Sequence, residues 1–329
     1  MTEEGSSAGR FERWVRASAT IVAPATVLSA LLFYFGYVCA RSRYEYFGID
    51  VDTIGLGTQD YIMRSPQPLL VPLLVLAFLG IGSVALHTAV RRRIAMAAGE
   101  DGDQGDPAEP DTTSARRLGR LRHLARATTI IGMVLLGAGI VLLFAYALVR
   151  DWAFYALVTP FLLALGAALT AYGSRVLQLV RHLPPRAPAE PRGPDPAPAG
   201  LAHALLRRTS SVLSYVVVAA GVFWITATVA QWSGRGLAQY EAQNFNRLPS
   251  VILDTKERLF LRSPGIEETV LPESQGQTFH YRYRHLRLLI HGHDRMFLVP
   301  DAWSASNSTL VVALDASVRV QFQFQNRRP

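Results

Sequence analysis

Charge is missing from the middle of every long apolar run in this sequence, and lysine and cysteine each occur once, as Lys256 and Cys39. A single cysteine makes an intrachain disulfide impossible and excludes a cysteine-rich metal site. Cys39 reads as a small apolar residue near the end of a span, with an intermolecular disulfide as the alternative. One lysine among 33 basic residues, with abundant alanine, glycine and proline, is the pattern of GC-rich coding rather than of a selected guanidinium function. Pumps, proton relays and voltage sensors hold ionisable groups at depth, where their cost is tolerated because they work there. Here, of all Asp, Glu, His, Lys and Arg residues, only His87 lies within an apolar run, and it lies near an end. An ion-coupled transporter is therefore disfavoured.

The five runs cover residues 17–40, 69–90, 128–149, 152–173 and 210–232, each longer than the roughly 20 residues that cross a bilayer core as helix. They predict a membrane α-helical bundle of five transmembrane helices. Arginine sets the orientation, because basic side chains resist translocation. Seventeen arginines fall in 1–16, 91–127 and 174–209, against four on the other side, Arg41, Arg43, Arg64 and Arg150. The N-terminus and the 91–127 and 174–209 linkers are expected in the cytoplasm, the C-terminal segment outside, and the protein in the plasma membrane. A cleaved signal peptide ending at Val38-Cys39-Ala40 is the competing reading of the first run, which is longer than the about 7 to 15 residues of a signal core.

The outer loop, 41–68, groups Tyr44, Tyr46, Phe47 and Tyr61 with Ile49, Val51, Ile54 and Leu56. Such a mixture suits a segment lying at the headgroup level, or else a ligand or partner surface. Thr58 is placed to cap a short helix through Met63 before Pro66 breaks it. Gly55, Gly57 and Asp60 do not complete a dinucleotide-binding fingerprint, since the third glycine and the flanking strand and helix are missing. The stretch YFGIDVDTIGLGTQDYIMRS, Tyr46 to Ser65, with RYRHLRLLI, MFLVPDAW and VRVQF further on, resembles a group of uncharacterised multi-pass membrane proteins of actinobacteria. The resemblance covers about a fifth of the chain directly. It implies the architecture and supplies no activity, ligand or catalytic residue.

The first linker passes from Arg91-Arg92-Arg93 through an acidic stretch, Glu100 to Asp111, which has almost nothing to bury and is expected to be disordered. It closes with Leu118, Leu121 and Leu124 at helical spacing among Arg116, Arg117, Arg120, Arg122 and Arg126, as in a helix lying on anionic lipid. An isoelectric point near 9.9 would suggest nucleic acid on a soluble domain; here the positive-inside rule already explains the charge, and no nucleic-acid partner is expected. The second linker is a proline-rich spacer whose Pro185, Pro188 and Pro191 satisfy PxxP spacing for a docking peptide. Arg150 and Asp151 alone separate the third and fourth runs, predicting a tight hairpin in which Gly132, Gly137 and Gly139 meet Ala164, Ala168 and Ala171. Pro24 and Pro160 read as kinks serving packing.

After a helical stalk over 233–247, short apolar or alternating segments predict strands at 251–253, 259–261, 279–283, 286–290, 296–299, 310–314 and 318–324. Val318, Val320, Phe322 and Phe324 share one face of the last. Residues 248–329 thus form a small, mainly β, extracytoplasmic domain, large enough to fold by itself. His291 and His293, with His280 and His285 nearby, raise the possibility of zinc, but Gly292 beside Asp294 is what a hairpin turn uses, and further ligands are not evident. Ser263, Ser274, Ser304 and Ser306 lack a nucleophile-elbow setting. The sequence points to no catalytic, cofactor-binding or metal residue. The expectation is a non-enzymatic membrane protein that contacts lipid, is able to form homo-oligomers, and binds another membrane protein or an envelope component outside. The alternative is a subunit of a transport or channel assembly, with Thr159, Thr226 and Thr228 around a cavity.

Overall fold

The computed structural model describes residues 4–98, 112–181, 197–261, 263–302, 304 and 308–323; within helices, only the backbone course is described for 4–21, 96–98, 112–118, 181 and 197–208. The acidic stretch, the PxxP prolines, Ser306 and Phe324 lie outside the described residues. In chain order the helices are α1 (Glu4–Glu45), α2 (Val51–Ile54), α3 (Thr58–Arg64), α4 (Pro66–Ala98), α5 (Thr112–Phe144), α6 (Tyr146–Val149), α7 (Tyr155–Arg181) and α8 (Ala197–Gln243). A 3₁₀ turn (Phe245–Arg247) leads to β1 (Ser250–Thr255), β2 (Glu267–Val270), β3 (Tyr281–His291), β4 (Arg295–Pro300), β5 (Leu310–Ala313) and β6 (Val318–Gln323). Five helices are long and apolar enough to cross a membrane, over Val22–Glu45, Pro66–Ala95, Gly119–Phe144, Tyr155–Val180 and Thr209–Gln243. Their large apolar side chains, such as Leu73, Phe78, Ile81, Val134 and Leu213, point outward. That arrangement suits a hydrocarbon solvent, in which helices satisfy their backbone groups internally.

The chain divides into two compact units, Pro72–Thr228 and Met1–Val71 with Val229–Pro329. In the first, α5 and α7 run antiparallel at close range because glycines face each other. A methyl group built on Gly132 would lie 2.6 Å from the Thr170 backbone nitrogen, and one on Gly166 2.5 Å from that of Leu136. Gly139 meets Leu163, and Gly173 meets Thr129. On α7 the closest approaches are at Gly166 and Gly173, which the sequence alone did not single out, and Ala168 is exposed; Gly137 faces open space, and Ala164 packs under Gly221 of α8. The connection between α5 and α7 is longer than two residues, since α5 ends at Phe144 and α6 intervenes. The leucine and arginine segment before the third span is no separate surface helix. It forms the beginning of α5, and Leu121 and Ala125 pack with Val176 and Val180 of α7.

Pro160 sits inside α7 and has no N–H for the carbonyl four residues earlier, that of Ala156. Thr228 of α8 compensates, its hydroxyl lying 3.1 Å from the Ala156 oxygen and 3.1 Å from its own helix's Trp224 oxygen. The proline expected to serve packing thereby creates an acceptor that pins two helices together.

In the other unit all strands pair antiparallel, in the order β5-β4-β3-β1-β6, with β2 also on β3. Two of the expected strands, 279–283 and 286–290, are halves of β3. Where Leu253 pairs Tyr283 and Val251 pairs Leu286, β3 has one extra residue, and His285 takes φ +61°. This bulge resets the alternation, so Tyr283 and Leu286, three residues apart, are both fully buried in one core. A second irregularity lies between Leu288 and Ile290. Residues 259–261 form no strand: the Leu259 N–H donates to the Tyr283 hydroxyl at 2.7 Å instead of to a ladder partner.

The sheet has two apolar faces. Val251, Leu253, Leu286, Met296, Leu298 and Val312 fill one core, with Val318 and Val320 against it. Leu289, Ile290, Phe297 and Val299 belong to another, completed by Tyr44, Phe47, Ile49, Val51, Ile54 and Tyr61 from the segment after α1 and by Ala238 and Phe245 from the stalk. The aromatic segment is thus largely protein core rather than a headgroup-level anchor, and the C-terminal antiparallel sheet packs against residues at the ends of both α1 and α8. Asp50 caps α2, accepting from the Asp52 N–H, and the Asp60 carboxylate accepts from the Gly57 N–H at 2.9 Å to start α3. Pro66 opens α4 instead of merely ending α3, a position where its missing N–H costs nothing. The joint is tight: a methyl group on Gly292 would lie 2.3 Å from the Ile54 oxygen, and one on Gly36 2.0 Å from the Tyr61 oxygen.

Two outcomes are expected. Gly292→Ala must displace the Ile54 carbonyl and lowers stability by about 1–3 kcal/mol, read as a lower melting temperature of the detergent-solubilised chain, whereas Gly137→Ala does not. A fragment of residues 248–329 exposes Leu289, Ile290, Phe297 and Val299 and shows no cooperative melt by circular dichroism; a sharp transition would show that the sheet folds without its cover.

Candidate functional site

The segment between α1 and α2 turns sharply, Phe47 and Ile49 donating their N–H groups to the Tyr44 carbonyl and Gly48 to that of Glu45, each at 3.0 Å. Phe47 and Ile49 point into the core, and Tyr46, Glu45 and Asp50 face out. Thr309, just before β5, donates to the Phe47 carbonyl at 2.8 Å. Between this turn, the end of α8 and the β4–β5 edge lies a cavity of about 1060 Å³. Glu45, Asp50, Gln239, Gln243 and Thr309 supply its polar wall, and Tyr46, Phe297 and Val311 its apolar one. Among the described residues no lysine, arginine or histidine lines it, in a chain whose formal net charge is +8. A smaller groove of about 320 Å³ shares Glu45, Gly48, Ile49 and Asp50 and adds Arg41.

Two nearby arginines, Arg43 and Arg64, are engaged by the protein. Arg43 forks onto Glu241 of α8, Nε lying 3.0 Å from Oε2 and Nη2 closing on Oε1. Arg64 donates to the Tyr44 hydroxyl at 2.7 Å. These contacts tie α1 to the stalk and α3 to the end of α1, holding the cleft's walls.

Deeper in the sheet, Asp254 is fully buried on β1, directly opposite Arg282 on β3 and Arg319 on β6. Arg282 donates to both of its oxygens, at 2.8 and 3.0 Å, and Arg319 to Oδ2. Burial disfavours the charged carboxylate, but the hydrogen bonds and charges of the two guanidinium groups outweigh it and hold Asp254 below its usual range. On β3, Arg287 joins Asp301 to the Leu248 carbonyl, while His285 lies 3.3 Å from Asp301 and 3.5 Å from Glu267. These charges fasten strands and stalk.

The expected turn is present: the Gly292 N–H donates to the Arg295 carbonyl at 2.9 Å between β3 and β4. His291 and His293 are exposed on it and, with Asp60 and Arg64, line a hollow of about 520 Å³. Asp60 there is the helix cap of α3. Among the described residues no group of three or more His, Cys, Asp or Glu is gathered as a metal would require. Ser274 donates to Gln277 in a surface turn. Cys39 is buried where a methyl on Gly234 of α8 would lie 2.2 Å from its carbonyl oxygen. In the helical unit Thr226 donates to the Val222 carbonyl of its own helix, and Thr159 is buried with its hydroxyl unpartnered. The cleft residues Gln239, Gln243 and Thr309 carried no motif; the four-residue spacing of the two glutamines on the stalk was their one sequence signal.

No protein-family model, curated protein or solved structure matches this chain. The site is accordingly defined by its own geometry.

Because the folded state holds Asp254 at a depressed pKa, its stabilisation is complete above the unfolded value of about 3.9 and declines as pH falls through the folded one. Melting temperature should therefore hold down to about pH 4 and drop below it. Asp254→Asn leaves two arginines facing an uncharged amide. It should cost about 3 kcal/mol or more at pH 7 and flatten the acid limb of the profile.

Proposed function

We propose that this chain is an integral plasma-membrane protein without enzymatic activity, whose sheet unit binds a membrane partner or envelope component outside the cell while the apolar helices anchor it. The observation carrying the reading is the cleft beside Glu45, Asp50 and Thr309, the meeting place of the sheet with the ends of two candidate spans. Its charge is opposite to that of the chain as a whole, which favours a selected ligand over general adhesion to acidic surfaces. The ion pairs of Asp254 and Asp301 hold strands together, a structural rather than a catalytic use of buried charge. Thr226 and Thr228 donate to helix carbonyls, which supports an anchor over a polar transport path. The arginine asymmetry supports a cytoplasmic N-terminus and cytoplasmic 91–127 and 174–209 linkers.

Both parts are open to direct measurement. In a Cys39→Ala background, a cysteine at the exposed Ser274 should react with an impermeant maleimide in intact cells, and one at Gly105 only after lysis; the reverse pattern overturns the orientation. A photoreactive side chain replacing Tyr46 should give a discrete adduct in native membranes, absent when the replacement is at Met63. An adduct at twice the chain mass would identify a second copy as the partner. Identical adducts from both positions would remove the cleft from consideration.

A further inference from the structure

We propose that the groove at the end of α1 holds the headgroup of a primary-amine phospholipid, its ammonium between Glu45 and Asp50 and its phosphate on Arg41. This rests on the reading above that α1 crosses a membrane and that the cleft is a binding surface, and it names the ligand class. Arg41 and Glu45 lie one helical turn apart, on the same face and separated by about 6 Å along the axis. Arg41 lies one turn inside the candidate span Val22–Glu45, and Glu45 is its last residue. Among the described residues neither forms an ion pair, in contrast to Arg43 beside them, which is committed to Glu241. Both line the same groove, whose remaining wall is Gly48, Ile49, Asp50 and Val51.

The order of charges along the helix is that of a zwitterionic lipid, whose phosphate sits next to the glycerol and whose amine projects further into water. The larger cavity shares Glu45 and Asp50 with this groove, and among the described residues no cation lines it, so an anionic headgroup would meet carboxylates there. Asp50 uses one oxygen to cap α2 and retains acceptor capacity on its second. Two carboxylates fit a primary ammonium, which has three N–H donors, better than a quaternary one, which has none. The Tyr46 ring, 45% exposed beside them, offers a face to the same cation.

The test is native mass spectrometry of the full chain, released from detergent and titrated with short-chain phosphatidylethanolamine, phosphatidylcholine and phosphatidylglycerol. Phosphatidylethanolamine should bind at least about tenfold more tightly than the other two, the scale of one charge-assisted hydrogen bond. Glu45→Gln with Asp50→Asn, which keeps a capping side chain, and Arg41→Gln separately should each abolish that preference while leaving the melting temperature unchanged. If the carboxylate pair proves necessary for folding, Arg41→Gln alone decides. Equal binding of the three lipids, preference unchanged in the variants, or equal saturation by free phosphoethanolamine overturns the lipid assignment. A protein adduct at Tyr46 without lipid selectivity would overturn this inference and leave the proposed function standing; neither adduct nor selectivity would overturn both.

Discussion

The apolar face of the sheet that holds Leu289, Ile290, Phe297 and Val299 is covered in large part by a segment more than two hundred residues upstream, Tyr44 to Tyr61, and the rest of this unit depends on that contact. Leu289, Ile290, Phe297 and Val299 share one core with Tyr44, Phe47, Ile49, Val51, Ile54 and Tyr61, and with Ala238 and Phe245 of the stalk. The contact joins the segment between two apolar helices to the strands that follow the last one. Its closeness depends on Gly292, where the hairpin backbone meets the Ile54 carbonyl with no room for a Cβ. Removing those apolar groups from water supplies the driving force; the carbonyl contact sets the register in which it is used.

Once the segment is seated, the polar residues left over have no choice of place. Phe47 and Ile49 point inward, so Tyr46, Glu45 and Asp50 face outward. Thr309 secures the turn through the Phe47 carbonyl, and Arg43 fixes the stalk through Glu241. The cleft is what remains between these fastened pieces. Its acidity follows from commitment of the neighbouring cations to structural partners, with Arg41 the exception on which the lipid assignment depends.

The helical unit is joined differently, with many large apolar side chains facing outward and close backbone approach holding α5 to α7. Gly132, Gly166 and Gly173 let α5 and α7 approach until backbone and side chains touch. Pro160 breaks a helix bond and Thr228 of α8 takes up the freed Ala156 carbonyl, converting a defect into an inter-helix tie. Leu73, Phe78 and Val134 face outward, an arrangement that suits a hydrocarbon solvent.

The sequence by itself determined whatever depends on local composition. Five long apolar runs were legible as five long apolar helices, the open backbone form that satisfies its hydrogen bonds within one segment. Alternation in β6 and the apolar β4 made those strands legible, and Gly292-His293-Asp294 announced its turn. Reading failed where local signals are degenerate. Aromatic and aliphatic residues over 44–61 suit a headgroup region as well as a protein core. The bulge at His285 reverses the inside–outside alternation of β3 and made one strand look like two. EETV of β2 carries no alternation because it is largely exposed, and Ala168 and Ala171 looked as suitable for helix contact as Gly166 and Gly173. Only tertiary structure decided that Glu45, Gln239 and Thr309 share a wall and that Asp254 lies between Arg282 and Arg319. Such neighbours are chosen by strand register and helix packing, which bring together residues whose intervening sequence holds no record of the distance between them.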